Sequence, residues 1–204
     1  MHPTIVLLDI GGVLVELGGL TALRRMLGEH LSDEDLHALW AASEAVLQYE
    51  TGRSDAQTFA AHVVNELKID LEPHDFLKDF EQWPIRLQPG AMELLRAIPA
   101  TYRPSALSNT NDIHRARAAD VLGLDGVFHR RYFSHELGFM KPNPRIYEAV
   151  LDDLKVDARN LLFIDDSQTN VEAARAIGMQ AHLAVDARHA RAVLEDCGVI
   201  PLAR

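Results

Sequence analysis

The chain has 204 residues, 48% hydrophobic and 25% charged, ordinary globular values that exclude a disordered, collagen-like or low-complexity class. Thirty acidic against twenty basic residues give a net charge of −10, which argues against a general nucleic-acid or anionic-membrane binder. One cysteine, Cys197, forbids an intrachain disulfide and favours a reducing compartment, so a cytoplasmic location is expected.

The run Ile5-Val6-Leu7-Leu8, closed by Asp9 and then Gly11-Gly12, predicts a buried strand opening into a tight loop. The wider apolar stretch Thr4 to Val15 is interrupted by Asp9, lacks a basic flank and is too short to span a bilayer. Neither a signal peptide nor a transmembrane helix is expected from it. Four stretches then show helical spacing with no strand between them: Thr21–Leu27, Asp33–Leu47, Asp55–Leu67 and Pro73–Phe80. A second strand is expected from about Tyr102 to Ser108, ending in the polar loop Ser108-Asn109-Thr110-Asn111. Helices follow over Asn111 to Leu122, stopped by Gly123, and from the Asn143-Pro144 cap to Leu154. Leu161 to Ile164 reads as a third strand running into Asp165-Asp166-Ser167, then a helix from Val171 to Ile177 and a weaker strand from Gln180 to Val185. Alternating strands and helices imply an α/β fold with a parallel sheet, whose ligands bind outside the carboxyl ends of the strands. Residues 16–86 read as an all-helical insertion, leaving 1–15 and 87–204 as the core.

Asp9, Ser108, Lys141 and the pair Asp165-Asp166 each have an ordinary structural role when taken alone, as loop caps or a solvated lysine. Together they lie at or just beyond predicted strand ends and make a chemical set: a nucleophile, a phosphate-oxygen donor, a charge clamp and metal-binding carboxylates. Gly11-Gly12 lacks the spacing of a dinucleotide fingerprint, and the ten scattered histidines with one cysteine give no zinc pattern. Trp40 and Trp83 read as packing residues, and Arg24, Arg25, Arg130 and Arg131 as solvated; a phosphate contact by Arg145 is a weak alternative.

In order, D-I-G-G-V-L from Asp9, S-N-T from Ser108, K-P at Lys141 and I-D-D-S-x-x-N from Ile164 resemble the four motifs of the haloacid dehalogenase-like hydrolase superfamily. The resemblance covers essentially the whole chain. It is closest to the branch of sugar-phosphate phosphatases that holds α-glucose-1-phosphate phosphatase and the phosphatase domain of soluble epoxide hydrolase. It implies a Rossmann-like parallel-sheet core, a helical cap at residues 16–86 and a small phosphorylated metabolite as substrate; Gly18-Gly19 at the start of the insertion reads as one hinge element. Residue by residue, it implies that Asp9 attacks phosphorus to form an aspartyl phosphate and that Lys141 balances the charge. It also implies that Ser108 and the amide of Asn109 hold phosphate oxygens. Mg²⁺ would be bound by Asp9, the carbonyl of Gly11 and Asp166, with Asp165 standing behind them to orient water or Lys141.

Gly11 departs from the family pattern, which places a proton-transferring aspartate two residues after the nucleophile. Glu16, Glu50 and metal-bound water remain open as substitutes. The same departure fits a 2-haloacid dehalogenase, which uses an aspartate nucleophile without that acid, or a catalytically weak binding protein; the Asp165-Asp166 pair speaks against the dehalogenase. A response-regulator receiver is excluded by order, because its acidic pair precedes the phosphorylated aspartate.

Overall fold

The computed structural model describes residues 3–124 and 126–202. Strand β1 (Ile5–Leu8) leads through the Gly11-Gly12 loop to β2 (Val15–Leu17). Five helices follow: α1 (Gly19–Leu27), α2 (Asp33–Ala42), α3 (Glu44–Glu50), α4 (Ala56–Leu67) and α5 (Pro73–Phe80). The chain returns through β3 (Pro84–Leu87), α6 (Ala91–Ala97) and β4 (Ser105–Ser108). Then come α7 (Asp112–Asp120), β5 (Arg130–Phe133), α8 (Ser134–Leu137), α9 (Pro144–Leu154), β6 (Leu161–Asp165), α10 (Gln168–Ala176), β7 (Gln180–Leu183) and α11 (Ala187–Asp196). No helix among the described residues is long and apolar enough to cross a membrane.

The main sheet has the order β5-β4-β1-β6-β7, and every pairing in it is parallel. β1 lies at its centre, and the alternation of a strand explains its composition. Ile5 and Leu7 face one apolar layer with Phe163, Ile146 and Val150, while Val6 and Leu8 face the other with Leu94, Ile164 and Leu194. Helices cover both faces, so no position of this strand is wetted and the sequence there is continuously apolar.

Several predicted elements differ from those observed. The stretch Asp33–Leu47 is two helices, broken at Ser43, whose backbone is extended (ψ 123°). There the Ser43 hydroxyl caps the amide of Val46 at 3.2 Å, and Glu66 accepts from the Ser43 hydroxyl and from the amides of Glu44 and Ala45. β4 begins at Ser105 because Ala100–Tyr102 forms a 3-10 turn, with Arg103 left-handed (φ 43°) behind it. The weaker last strand stops at Leu183. β5 carried no sequence signal: it is an edge strand whose Arg130 and Arg131 are exposed and whose Tyr132 and Phe133 alone are buried.

The insertion is not all-helical. β2 and β3 pair antiparallel where the chain leaves and re-enters the core, with Glu16 opposite Arg86. These strands, of three and four residues, are too short to show alternation. The five helices close their own apolar cluster around Leu36, Phe59, Val63, Phe76, Phe80 and Trp83. Ring stacking reinforces it: Tyr49 and Phe59 centroids are 4.4 Å apart, and Trp83 lies 4.9 Å from both Trp40 and Phe80. Gly18 and Gly19 have a packing role here: a Cβ on Gly19 would come within 2.8 Å of the Trp83 ring, and one on Gly18 within 3.0 Å of Ile85.

Candidate active site

The parallel sheet gathers the sequence candidates at one edge. Asp9 follows β1, Ser108 ends β4 with Asn109 after it, Asp165 ends β6 with Asp166 after it, and Lys141 comes from the loop before α9. Oxygen atoms of Asp9, Asp165 and Asp166 lie within 4.8 Å of one another.

Lys141 is the hub. Its side chain is 1% exposed, and Nζ lies 2.6 Å from Asp165 Oδ2 and 2.9 Å from Asp9 Oδ1 while donating to the Leu107 carbonyl at 3.1 Å. Burial alone would push the lysine pKa down, but the two carboxylates overcome it and hold the ammonium charged. Its backbone is fixed by Asn109, whose carboxamide oxygen accepts from the Lys141 amide at 2.8 Å and whose NH₂ donates to the Lys141 carbonyl at 2.9 Å. The Asn109 side chain is therefore a clamp on the lysine loop, a role that its place in S-N-T did not reveal.

The three acids are differently committed. Asp165 is fully buried and satisfied: Oδ1 accepts from the Ser167 amide and from Asn170 Nδ2, both at 2.9 Å, and Oδ2 holds Lys141. Asn170, the closing residue of the I-D-D-S-x-x-N run, had no assigned role from sequence; it orients this carboxylate. Asp9 uses Oδ1 for Lys141 and for the Ile10 amide at 2.7 Å, leaving Oδ2 without a hydrogen bond among the described residues. Burial pushes the Asp9 carboxyl up, Lys141 pulls it down, and Asp165 and Asp166 push it up. Asp166 stands at the mouth of the cluster with its carboxyl packed against the Gly12 loop, and that burial of the carboxyl and then the Asp165 charge push it up. Three carboxylates around one ammonium are a negatively charged, all-oxygen donor set, which suits a hard divalent cation.

The loop after Asp9 is shaped by its glycines. Gly12 has φ +72°, and a Cβ there would lie 1.8 Å from Asp166 Oδ2, so only glycine lets Asp166 approach the loop. Gly11 is different: its φ is not in the left-handed region, and a Cβ would meet only the Leu17 side chain, at 2.9 Å. Its carbonyl accepts from the Val13 amide at 2.8 Å.

Above this edge lies a cavity of about 420 Å³, walled on the core side by Gly11, Ser108, Asn109 and Asp166 and on the insertion side by Trp40 and Glu50 among others. The insertion rests on α7. Tyr49 donates its hydroxyl to Asp112, His114 Nε2 donates to the Phe80 carbonyl at 2.7 Å, and Arg117 donates to the Pro84 carbonyl at 2.6 Å. Burial pushes the His114 pKa down to about 4, which keeps the ring neutral for that bond. Arg145 stacks on Phe139 at 4.0 Å and is not among the cavity walls. Arg24 and Arg25 are not free either, pairing with Asp33 and Asp79.

Residues 3–178 match the haloacid dehalogenase-like hydrolases as a family. The chain belongs to that family. As a haloacid dehalogenase-like hydrolase it is 23% identical, over 86% of its length and 88% of the relative's, to D-ribitol-5-phosphate phosphatase of Bacteroides thetaiotaomicron. It is 28% identical to phosphoglycolate phosphatase of Rhodospirillum rubrum, over 87% and 77% of the two chains. Among solved structures, a haloacid dehalogenase family enzyme of Bacteroides thetaiotaomicron, crystallised as a magnesium complex, superposes with a TM-score of 0.74. That match is 22% identical and spans 90% of this chain and 94% of the other.

Proposed function

We propose that this hydrolase is a Mg²⁺-dependent phosphomonoesterase for a small phosphorylated metabolite, acting through an aspartyl phosphate on Asp9. One observation carries the reading: a buried ammonium between Asp9 and Asp165, with the second oxygen of Asp9 uncommitted beneath a cavity. The relatives named for ribitol-5-phosphate and phosphoglycolate agree with it in class. A cavity of about 420 Å³ fits a substrate of that size rather than a polymer.

In this mechanism Asp9 Oδ2 attacks phosphorus in line with the departing oxygen, and Lys141 compensates the charge of the nucleophile and of the transferring group. Ser108 and the Asn109 amide, at the end of β4, hold phosphate oxygens. Bound Mg²⁺ supplies the positive charge that lets a phosphate dianion approach a carboxylate. The ligand choice follows from commitment. Asp165 already accepts from Lys141, Ser167 and Asn170 and is the most heavily engaged of the three acids, so Asp9, Asp166 and the Gly11 carbonyl would hold the metal while Asp165 positions Lys141. The helical insertion serves as the cap that excludes water and contacts the leaving group.

The test is phosphate release from a panel of phosphorylated metabolites, with Mg²⁺ and with chelator. Asp9→Asn is expected to abolish turnover and acid-stable phosphate labelling while the protein stays folded. An Asp9→Asn protein with an undiminished rate overturns the mechanism. Chloride released from 2-haloacids in place of phosphate from esters assigns the chain to the dehalogenase reaction.

A further inference from the structure

Phosphoryl transfer to Asp9 and its hydrolysis need a proton for the departing oxygen and a base for the attacking water, and Gly11 supplies neither. The ionisable groups that wall the cavity are Glu16, His37, Glu50, His114, Arg115 and Asp166. Most are committed. Glu16 pairs with Arg86 at 2.7 Å across β2 and β3. His114 spends its Nε2 proton on the Phe80 carbonyl. Arg115 pairs with Glu136 at 3.3 Å and does not deprotonate in proteins. Asp166 belongs to the carboxylate cluster. Lys141, beneath the cavity, is shared by three acceptors.

Glu50 stands apart. It is the last residue of α3, half-buried, facing the cavity, with no hydrogen bond or ion pair among the described residues. Its neighbours pin it to the core on both sides. Tyr49 donates to Asp112 at the start of α7. Gly52, with φ +69°, is pressed so close to α8 that a Cβ would lie 2.2 Å from the His135 carbonyl. Thr51 closes the helix end between them, its hydroxyl donating to the Leu47 carbonyl at 2.6 Å. The insertion thus delivers one uncommitted carboxyl to the site, on a turn held by contacts to the catalytic core.

We propose that Glu50 is the catalytic acid and base of this enzyme, replacing from the insertion the proton carrier that Gly11 cannot be; the proposal rests on the phosphomonoesterase reading. In the first step a P–O bond forms to Asp9, the P–O bond to the leaving group breaks, and the Glu50 proton goes to the departing oxygen, releasing an alcohol. In the second step the Glu50 carboxylate takes a proton from water, the water oxygen bonds to phosphorus, and the bond to Asp9 breaks. Phosphate leaves, and Glu50 is protonated again. Burial pushes the Glu50 carboxyl up to about 7, with the Lys141 charge pulling it back, so both protonation states are populated at neutral pH. His37 on α2 is the other uncommitted titratable group at the cavity and provides the control.

The experiment compares wild type, Glu50→Gln, Glu50→Asp and His37→Gln with Mg²⁺ on two esters: an aryl phosphate, whose leaving group needs no proton, and an alkyl phosphate, whose leaving group does. Glu50→Gln is expected to lose ~10²–10⁴-fold in kcat/KM on the alkyl ester and only a few-fold on the aryl ester. On the aryl ester it should release one equivalent of leaving group in a burst, then stall as phosphoenzyme. The alkaline limb of the wild-type kcat/KM profile near pH 7 should vanish, and Glu50→Asp should recover part of the rate. Equal losses on both esters, a change confined to KM, or the alkyl-specific loss appearing in His37→Gln overturns the assignment. Wild type that releases no phosphate from either ester, or from the metabolite panel, overturns the phosphomonoesterase reading itself.

Discussion

Asp165 and Asp166 are adjacent in sequence and chemically identical, yet the structure predicts opposite consequences for their amides. In Asp165→Asn the carboxamide must turn its NH₂ either toward Lys141 Nζ or toward the Ser167 amide and Asn170 Nδ2, all of which are donors. Both arrangements lose the ion pair at 2.6 Å; one also sets the NH₂ against the ammonium, and the other sets three N–H groups around one site. Removing one partner of a buried pair costs about 3–5 kcal/mol. Relief of the repulsion between Asp165 and Asp9 trims that toward the lower figure. In a chain of this size each kcal/mol moves Tm by about 2–4 °C, so a fall of roughly 6–20 °C is expected. Asp166 accepts from no other described residue and its charge is disfavoured by burial and by Asp165, so Asp166→Asn should cost no stability in chelator. Its effect should appear in Mg²⁺ dependence instead, as a loss of affinity of at least the ~10–100-fold typical of disturbed ligand partners. The assay is thermal unfolding of both variants in chelator, paired with Mg²⁺ titration of phosphate release. An Asp165→Asn protein that melts with wild type, or that loses metal while Asp166→Asn keeps it, would refute the division of labour.

The glycine loop gives a second contrast. Gly12→Ala should destabilise the site by about 1–3 kcal/mol and weaken Mg²⁺ response, because its left-handed φ and the Asp166 oxygen 1.8 Å from the new Cβ both oppose it. Gly11→Asp should fold with wild-type cooperativity, since it displaces only the exposed Leu17 side chain, and should reduce the dependence of turnover on Glu50. Equal melting losses in the two variants would contradict the backbone argument. The Glu50 carboxyl, raised from 4.5 to about 7, contributes stability that is fully present below pH 4.5 and lost as pH rises through 7. Glu50→Gln does not titrate, so urea unfolding should show its stability relative to wild type rising by up to about 3 kcal/mol between pH 4.5 and pH 8. A pH-independent difference would show that Glu50 is solvated. Leu7→Ala, at the centre of the sheet and wholly buried, should cost about 2–5 kcal/mol without changing the Mg²⁺ requirement.

The central strands could be read from sequence because burial on both faces forces continuous apolar runs in β1 and β6, and the polar residues that end them mark the carboxyl edge. The helical nature of the insertion was equally legible from spacing. What local pattern does not carry is any element whose stability comes from a distant partner. β5 exists because β4 offers it an edge, and β2 and β3 exist because the chain must leave and re-enter at one place. The break at Ser43 is written in Glu66, twenty-three residues away.

The candidate site divides in the same way. Asp9, Ser108, Lys141 and the Asp165-Asp166 pair were recognisable by residue type and by their order in the chain. Their commitments were not recognisable. Which acid is most heavily engaged, which oxygen of Asp9 is free, and why Asn109 faces the lysine loop depend on hydrogen bonds closed between residues far apart in the chain. Gly11 was visible as a missing carboxylate. That Glu50 faces the same cavity was decided by the docking of α3 on α7 and α8, because a proton carrier needs proximity to the reacting atoms and not proximity in sequence.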